Sequence, residues 1–293
     1  MSPGMTIRDS ISRLPVLRRL SRTPRVPVVR LSGTIGDTGA LRRGLTLAGV
    51  AEPLDRAFNM PGIPAVAILI NSPGGSPVQS ALIANRIRDL AEENSVRVHA
   101  FCEDAAASGG YWLACAGDDI HAMDSSIVGS IGVVSAGFGF QDLIQRYGVE
   151  RRVHASGERK VILDPFRAED PDDVAHLESL QAEIHESFKD MVRERRKGRL
   201  NANEDTLFDG AFWTGKRAFE LGLVDGVGDA RAVLRGKYGK KTKLIPVAAG
   251  GGWLRRGKGV AGLSTGMAGW PPDWAGDLLG AAEERALWQR LGL

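Results

Sequence analysis

The sequence predicts an α/β protein built from repeated βαβ units, and three observations support this prediction. Short apolar runs alternate along the chain with longer stretches in which apolar residues recur at helical spacing. One run, 64–70 (PAVAILI), has no polar interruption and ends in a turn sequence, 71–75 (NSPGG), which is typical of a strand buried on both faces of a parallel sheet. With 293 residues, of which 43% are hydrophobic and 25% charged, the chain is long enough to enclose a large core.

Each element is placed from its pattern and from the turn residues that bound it. Strands are predicted at 28–31, 64–70, 96–102, 120–123, 127–135 and 150–155. Helices are predicted at 45–58, 77–93, 138–147, 170–197 and 214–221, with a further helix opening at Ser108. Pro53 is expected to kink or divide the first helix. The helix 170–197 begins with aspartates and ends with arginines, so its charges complement the helix dipole at both ends.

Composition divides the chain into three parts. Residues 1–26 form a basic arm, since the first thirty residues hold seven arginines and a single acid, Asp9. Residues 27–247 form the main domain. Residues 248–293 form a glycine-rich linker and a tail that holds four of the six tryptophans. The net charge is only +3, which gives no reason to expect a nucleic-acid partner.

The compartment is predicted to be cytoplasmic, or peripheral at the inner face of a membrane. No apolar run is long enough to span a bilayer, and the N-terminus has no signal-peptide core. The two cysteines, Cys102 and Cys115, are expected to be buried and reduced. The basic arm and the tryptophans of the tail are candidates for contact with an anionic membrane surface. The alternative is an arm without regular structure and a tail that packs on a neighbouring subunit.

Two glycine-containing segments carry the candidate chemistry. Each of them, 70–75 and 107–111, follows a predicted buried strand and precedes a helix, and open α/β sheets build their sites at such strand ends. Gly74, Gly75 and Gly109 can bring backbone N–H groups close to a developing oxyanion, as acyl transfer requires. Ser108 at the start of a helix is then a candidate nucleophile. The alternative is that Ser108 only caps the helix and the glycines only make tight turns.

A nucleophilic serine needs a base, and the sequence leaves several candidates. His121 and His154 are possible bases, whereas His99 is expected to be structural. Two others, His176 and His185, lie on the long, largely solvent-facing helix and are expected to be exposed or hydrogen-bonded. Lys160, the only lysine between residues 28 and 164, could do the same work if held neutral, or could be an ordinary loop lysine. No metal or nucleotide motif is present, and no cofactor is predicted.

Five segments in this order resemble the signal peptide peptidase A family of serine peptidases, which includes protease IV and SohB-like proteins. They are 70–75 (INSPGG), 107–112 (ASGGYW), 129–133 (GSIGV), 156–160 (SGERK) and 212–215 (FWTG). The similarity extends from about residue 28 to residue 235. It implies a Clp/crotonase-like fold and a serine endopeptidase that uses a Ser–Lys dyad.

The resemblance also implies a role for each matching residue. Ser108 is the nucleophile, Lys160 the general base and Ser130 the serine that hydrogen-bonds the lysine. The oxyanion hole draws on the backbone of Gly74, Gly75 and Gly109. Hydrophobic or signal-peptide-like peptides are the expected substrates and a homo-oligomer the expected assembly. Two departures from the family pattern are expected: no segment of this sequence is predicted to be a membrane-spanning anchor, and the motif set occurs once.

Two other classes of function remain open at this stage. A crotonase-type enzyme acting on an acyl-CoA would share the fold and the oxyanion geometry, but would not need Ser108 paired with Lys160. A non-catalytic scaffold in a membrane quality-control assembly would need neither residue. Acylation of Ser108 by a fluorophosphonate distinguishes the peptidase from both.

Overall fold

The computed structural model describes residues 23–37, 44–248 and 274–293, and a mixed sheet lies at its centre. Strands β6, β5, β3, β2, β1 and β8 follow one another across the sheet, while β4 pairs with β3 and with β7. All of these pairs are parallel except β5 with β6. The strands are β1 Arg25–Ser32, β2 Ala65–Ser72, β3 Arg97–Ala107, β4 Asp119–Ala122, β5 Ile127–Gly129, β6 Phe212–Thr214, β7 Gly226–Val227 and β8 Lys243–Val247.

Helices connect most of these strands, as the predicted βαβ repeat requires. They are α1 Leu47–Phe58, α2 Pro77–Glu93, α3 Gly109–Ala114, α4 Gln141–Arg146, α5 Pro171–Arg195, α6 Glu204–Leu207, α7 Gly215–Glu220, α8 Ala230–Tyr238 and α9 Trp274–Arg290, with a 3₁₀ turn at Glu158–Val161. Side-chain caps fix several starts: Thr46 accepts from the Gly49 N–H, and Ser76 accepts from the Gln79 N–H. Pro53 lies inside α1 without dividing it.

The central strand β2 is buried on both faces, as its uninterrupted apolar run predicts. Val66, Ile68 and Ile70 belong to the main core, which also includes residues of α1, α2, α3 and α5. Ala67, on the opposite face, belongs to a smaller core with Leu234 of α8. Because two layers of helices cover the sheet, the predicted α/β class is confirmed.

The predictions were wrong mainly between residues 130 and 160. The strand predicted at 127–135 ends at Gly129, and the helix predicted at 138–147 is only Gln141–Arg146. The strand predicted at 150–155 is irregular and largely exposed. A strand needs a partner for its backbone N–H and C=O groups, and the described residues offer none there.

Several features of the body agree with the sequence. Cys102 and Cys115 are buried free thiols, and burial raises the pKa of both to about 12. Part of the C-terminal tail forms the helix α9, whereas the basic arm before residue 23 and the glycine-rich linker from residue 249 lie outside the described residues. Within the described ranges, no helix is both long and apolar enough to cross a bilayer.

Candidate active site

Ser108 lies directly after β3 in a backbone conformation that L residues rarely adopt, with φ +53° and ψ −122°. Two hydrogen-bonded regions hold it there. Its N–H donates to the Gly129 carbonyl at 2.8 Å, and its own carbonyl accepts from the N–H groups of Tyr111 and Trp112 at 2.9 and 3.1 Å. Such a conformation costs about 1–3 kcal/mol and is enriched at functional sites. Ser108 occupies the N-cap position of α3, but its side chain makes no capping hydrogen bond. The simple capping alternative is therefore wrong.

Asn71 of the neighbouring strand β2 holds the end of β3 in place through side-chain hydrogen bonds. Its Oδ1 accepts from the Ala105 N–H at 3.1 Å, while its Nδ2 donates to Asp104 at 2.8 Å. The pairing between β2 and β3 changes register at this point, between Ile70 and Ser72. The side chain thus replaces backbone bonds that the irregular ladder loses, and it fixes the approach to Ser108.

The glycines next to Ser108 allow a close approach of backbone segments. A Cβ on Gly74 would lie 2.8 Å from the Ser108 Cβ, and one on Gly75 would lie 2.1 Å from the Ile35 carbonyl oxygen. A Cβ on Gly109 would lie 2.4 Å from Ser80 Oγ. Any side chain at these positions would push apart the strand end, the β2 turn and α2.

Two backbone donors at this junction make no hydrogen bond with the described residues: the N–H groups of Gly75 and Gly109. They are close, because a Cβ on Gly109 would lie 3.5 Å from the Gly75 nitrogen. The N–H of Gly74, by contrast, donates to Ser72 Oγ at 3.2 Å. Two donors beside a serine hydroxyl can bind an oxyanion.

Ser130 lies beside Ser108 at the end of the adjacent strand. The register pairs Ala107 with Gly129, so the two serines leave β3 and β5 at the same edge of the sheet. Ser130 also has a positive φ, +54°, and its N–H donates to the Ala211 carbonyl at 2.7 Å. Both serines line the same cavity, of about 700 Å³.

The cavity also contains a histidine that the sequence analysis did not choose as a candidate base. His185 of α5 is half-buried, lines the cavity with both serines, and its Nε2 lies 3.1 Å from the Ile131 carbonyl oxygen. The Nε2 must therefore carry a proton and donate it to this bond. The hydrogen bond to Ile131 agrees with the expectation that His185 is exposed or hydrogen-bonded. Its place in the cavity was not predicted, because the docking of α5, not the helix pattern, determines which side of the helix meets the site.

Lys160 is not among the residues that line this cavity. It lies in the 3₁₀ turn Glu158–Val161 and is exposed. Its backbone N–H donates to the Gly157 carbonyl at 3.2 Å, but its side chain makes no hydrogen bond or ion pair with the described residues. The single chain thus brings together Ser108, Ser130 and the three glycines, but not Lys160.

The other candidate bases also lie outside the cavity lining. His154 is exposed. His121 is buried, with its Nδ1 3.5 Å from Asp119, and desolvation lowers the pKa of its imidazole. His99 is structural, as expected: its Nδ1 is 2.6 Å from Asp119 and its Nε2 is 2.7 Å from the Tyr238 hydroxyl.

Comparison with known proteins assigns the chain to a family. The model of peptidase family S49 matches residues 91–243, which contain Ser108, Ser130 and Lys160. This chain belongs to peptidase family S49. The chain is 35% identical over 215 residues to a proposed protease of Synechocystis sp., covering 71% of this chain and 75% of that protein. It is 34% identical over 192 residues to the chloroplastic serine protease SPPA of Arabidopsis thaliana, and this match covers 63% of this chain and 28% of that protein.

A third relative is longer and has a different name. The chain is 54% identical over 273 residues to a Brucella abortus protein named Na⁺/H⁺ antiporter NhaA. The match covers 92% of this chain but only 37% of that protein, and a Brucella melitensis protein matches to the same extent. This chain therefore corresponds to about a third of the longer Brucella polypeptide.

Proposed function

We propose that the protein is a serine endopeptidase in which Ser108 is the nucleophile. The observation that carries the proposal is the strained backbone conformation of Ser108 at the cavity. Its hydroxyl makes no capping hydrogen bond, and two N–H groups beside it have no partner among the described residues. Membership of family S49 supports peptide hydrolysis over the acyl-CoA and scaffold alternatives. The chemistry would be acyl transfer through a Ser108 ester.

In this proposal the Gly75 and Gly109 N–H groups form the oxyanion hole. They would donate to the substrate oxygen as the tetrahedral intermediate forms, where removal of a single donor typically costs about 10²–10³ in kcat. Gly74 was predicted as a further donor, but its N–H is already bonded to Ser72 Oγ. We assign Gly74 the role of leaving space for the Ser108 Cβ.

We assign the general base to Lys160 of a neighbouring copy of the chain. Its exposure outside the cavity lining supports this assignment, and so does the apolar surface of the surrounding segment. A lysine accepts a proton only when neutral, which removal from water at an interface favours. Lys160 would take the Ser108 proton, return it to the leaving amine and then activate the water that releases the acid. Ser130 would orient the amine.

A Ser–His site within one copy is the second candidate, and the placement of His185 in the cavity favours it. Its Nδ1 is the nitrogen free to accept a proton, since Nε2 donates to the Ile131 carbonyl. The two candidates differ in a simple respect: the first requires self-assembly and Lys160, and the second requires neither.

The substrates we propose are peptides with apolar side chains. The cavity walls include Val133, Val134, Phe208 and Phe212, whose side chains would bind such groups.

Contact of the basic arm and the tail with a membrane, and a cytoplasmic or peripheral location, also remain proposals.

The test of the proposed function is covalent labelling by a fluorophosphonate together with cleavage of quenched peptides. Ser108→Ala should abolish both, while Ser179→Ala, a control at an exposed serine of α5, should keep both. Labelling that survives in Ser108→Ala would reject the nucleophile. Loss of activity in Lys160→Ala supports the dyad, whereas activity that survives in Lys160→Ala and is lost in His185→Ala supports the Ser–His site.

A further inference from the structure

The C-terminal helix contributes to the same cavity as Ser108. Leu287 of α9 and Leu291, in the turn that follows it, line the cavity with Ser108 and Ser130. They are four positions apart, a spacing that puts both side chains on one face of a helix. The helix lies outside residues 91–243, the part matched by the family model. This side of the cavity is therefore formed by residues outside the part of the chain that the family model matches.

The docking of this C-terminal segment is anchored on the strand that carries the nucleophile. Leu291 is only 9% exposed and packs with Ala105 and Ala107 of β3, immediately before Ser108. Trp288 and Ile127 of β5 pack against the same cluster. The small alanine side chains leave room for the leucine, and burial of these apolar groups holds the helix end beside the site.

We propose that α9 forms one wall of the substrate cleft, and that Leu287 and Leu291 form an apolar subsite that selects peptides with a large apolar side chain next to the scissile bond. This inference rests on the proposed peptidase function and assigns part of its specificity to residues outside the family match. Leu287 is the residue to test, because it is half-buried, whereas loss of the buried Leu291 would also loosen the docking of the helix.

The experiment compares Leu287→Ala and Leu287→Trp with the wild-type chain, on quenched peptides in which one position at a time is Gly, Ala, Leu or Phe. Leu287→Ala should lower kcat/KM for the Leu and Phe peptides about tenfold relative to the Gly peptides, because one lost methylene in an apolar pocket already costs tenfold or more. Leu287→Trp, which narrows the subsite, should shift the preference towards Gly and Ala. Gln289→Ala, an exposed position of α9 outside the cavity lining, is the control and should keep the wild-type profile.

Two results would overturn the proposal. An unchanged ratio between large and small side chains in both Leu287 variants would show that α9 does not contact the bound peptide. Equal acceleration of all peptides in Leu287→Ala would show that the helix blocks the cleft rather than forming its wall.

A binding measurement separates this proposal from the proposed function. Fluorescence anisotropy of a labelled Leu-containing peptide, measured with Ser108→Ala and with Ser108→Ala/Leu287→Ala, requires no turnover. About tenfold weaker binding in the double variant supports the wall even if wild-type Ser108 proves unreactive, in which case only the proposed function fails. Equal affinity in the two proteins contradicts the wall, whatever the activity of Ser108.

Discussion

The surroundings of Ser108 and those of Lys160 differ in how completely one chain builds them. Ser108 follows a buried strand, and its backbone is held by Gly129, Tyr111 and Trp112. Lys160 belongs to residues 133–170, here called the Lys160 segment, in which every residue with an assigned burial is exposed or half-buried. The nucleophile region is thus complete in one chain, and the region of the proposed base is not.

The Lys160 segment has internal contacts but little cover. Arg151 pairs with Asp164 at 2.7 Å, and the Phe140 ring lies 5.6 Å from that of Phe166. Phe138 and Tyr147 are nevertheless 79% and 73% exposed. Exposed apolar side chains grouped on one segment mark an interaction surface. This difference is the basis of our proposal that a second copy of the chain covers the Lys160 segment.

Substitution of glycine in the two regions should give the largest contrast. Gly75→Ala places a Cβ 2.1 Å from the Ile35 carbonyl oxygen at φ +141° and displaces a proposed oxyanion donor, so kcat should fall at least about 10²–10³-fold. The matched control, Gly137→Ala in the Lys160 segment, meets no atom within 4 Å and should keep its rate. Peptide cleavage and circular dichroism measure both variants. A Gly75→Ala enzyme of wild-type activity would remove Gly75 from the site.

An apolar side chain of the Lys160 segment should matter for assembly and not for folding. In the unassembled chain, Tyr147→Ser should change the free energy of unfolding by less than about 0.5 kcal/mol, since the ring is exposed there. The assembled mass, measured by light scattering, should fall together with peptide cleavage. Phe219→Ser, at a 49% exposed position of α7 outside the segment, serves as the control. If Tyr147→Ser assembles normally, this face of the segment is not the interface.

A smaller effect is expected from pH on the free energy of unfolding, and it comes from His121, which lies outside both regions. Desolvation lowers the pKa of His121 below its ordinary value of 6.5, although the nearby Asp119 opposes this. The unfolded chain then binds this proton more readily than the folded one, so the free energy of unfolding should decrease as pH falls below about 6.5. Denaturant unfolding at several pH values between about 7.5 and 5, a range that brackets this titration, measures the slope of the free energy of unfolding against pH. It should be shallower in His121→Gln, and a slope unchanged from the wild type would contradict the assignment.

The local sequence predicted the part of the candidate site that depends on local structure, namely the end of β3 and the glycines beside Ser108. An apolar run, then glycines, then Ser108 at a helix start predicted the strand end and the close approach of backbone segments there, because buried parallel strands and glycine turns have strong local signals. Gly74 shows the limit of this reasoning. The sequence placed it at the junction, but only the structure shows that its N–H is bonded to Ser72.

Tertiary docking determined what the sequence analysis missed. His185 lines the cavity because α5 contacts the chain at Ile131, and Leu287 of α9 lines it because Leu291 packs beside the alanines of β3. Neither contact has a signal in the pattern of its own helix. The predicted strand at 150–155 failed for the related reason that pairing requires a neighbour.

The central claim is that Ser108 of one copy works with Lys160 of another, and a mixing experiment tests it most directly. Ser108→Ala and Lys160→Ala should each be inactive alone, while the two proteins, mixed under conditions in which subunits exchange, should regain peptide cleavage and label with a fluorophosphonate only on the Lys160→Ala chain. A mixture that exchanges subunits but stays inactive, or a Lys160→Ala protein that is active alone, would contradict the claim.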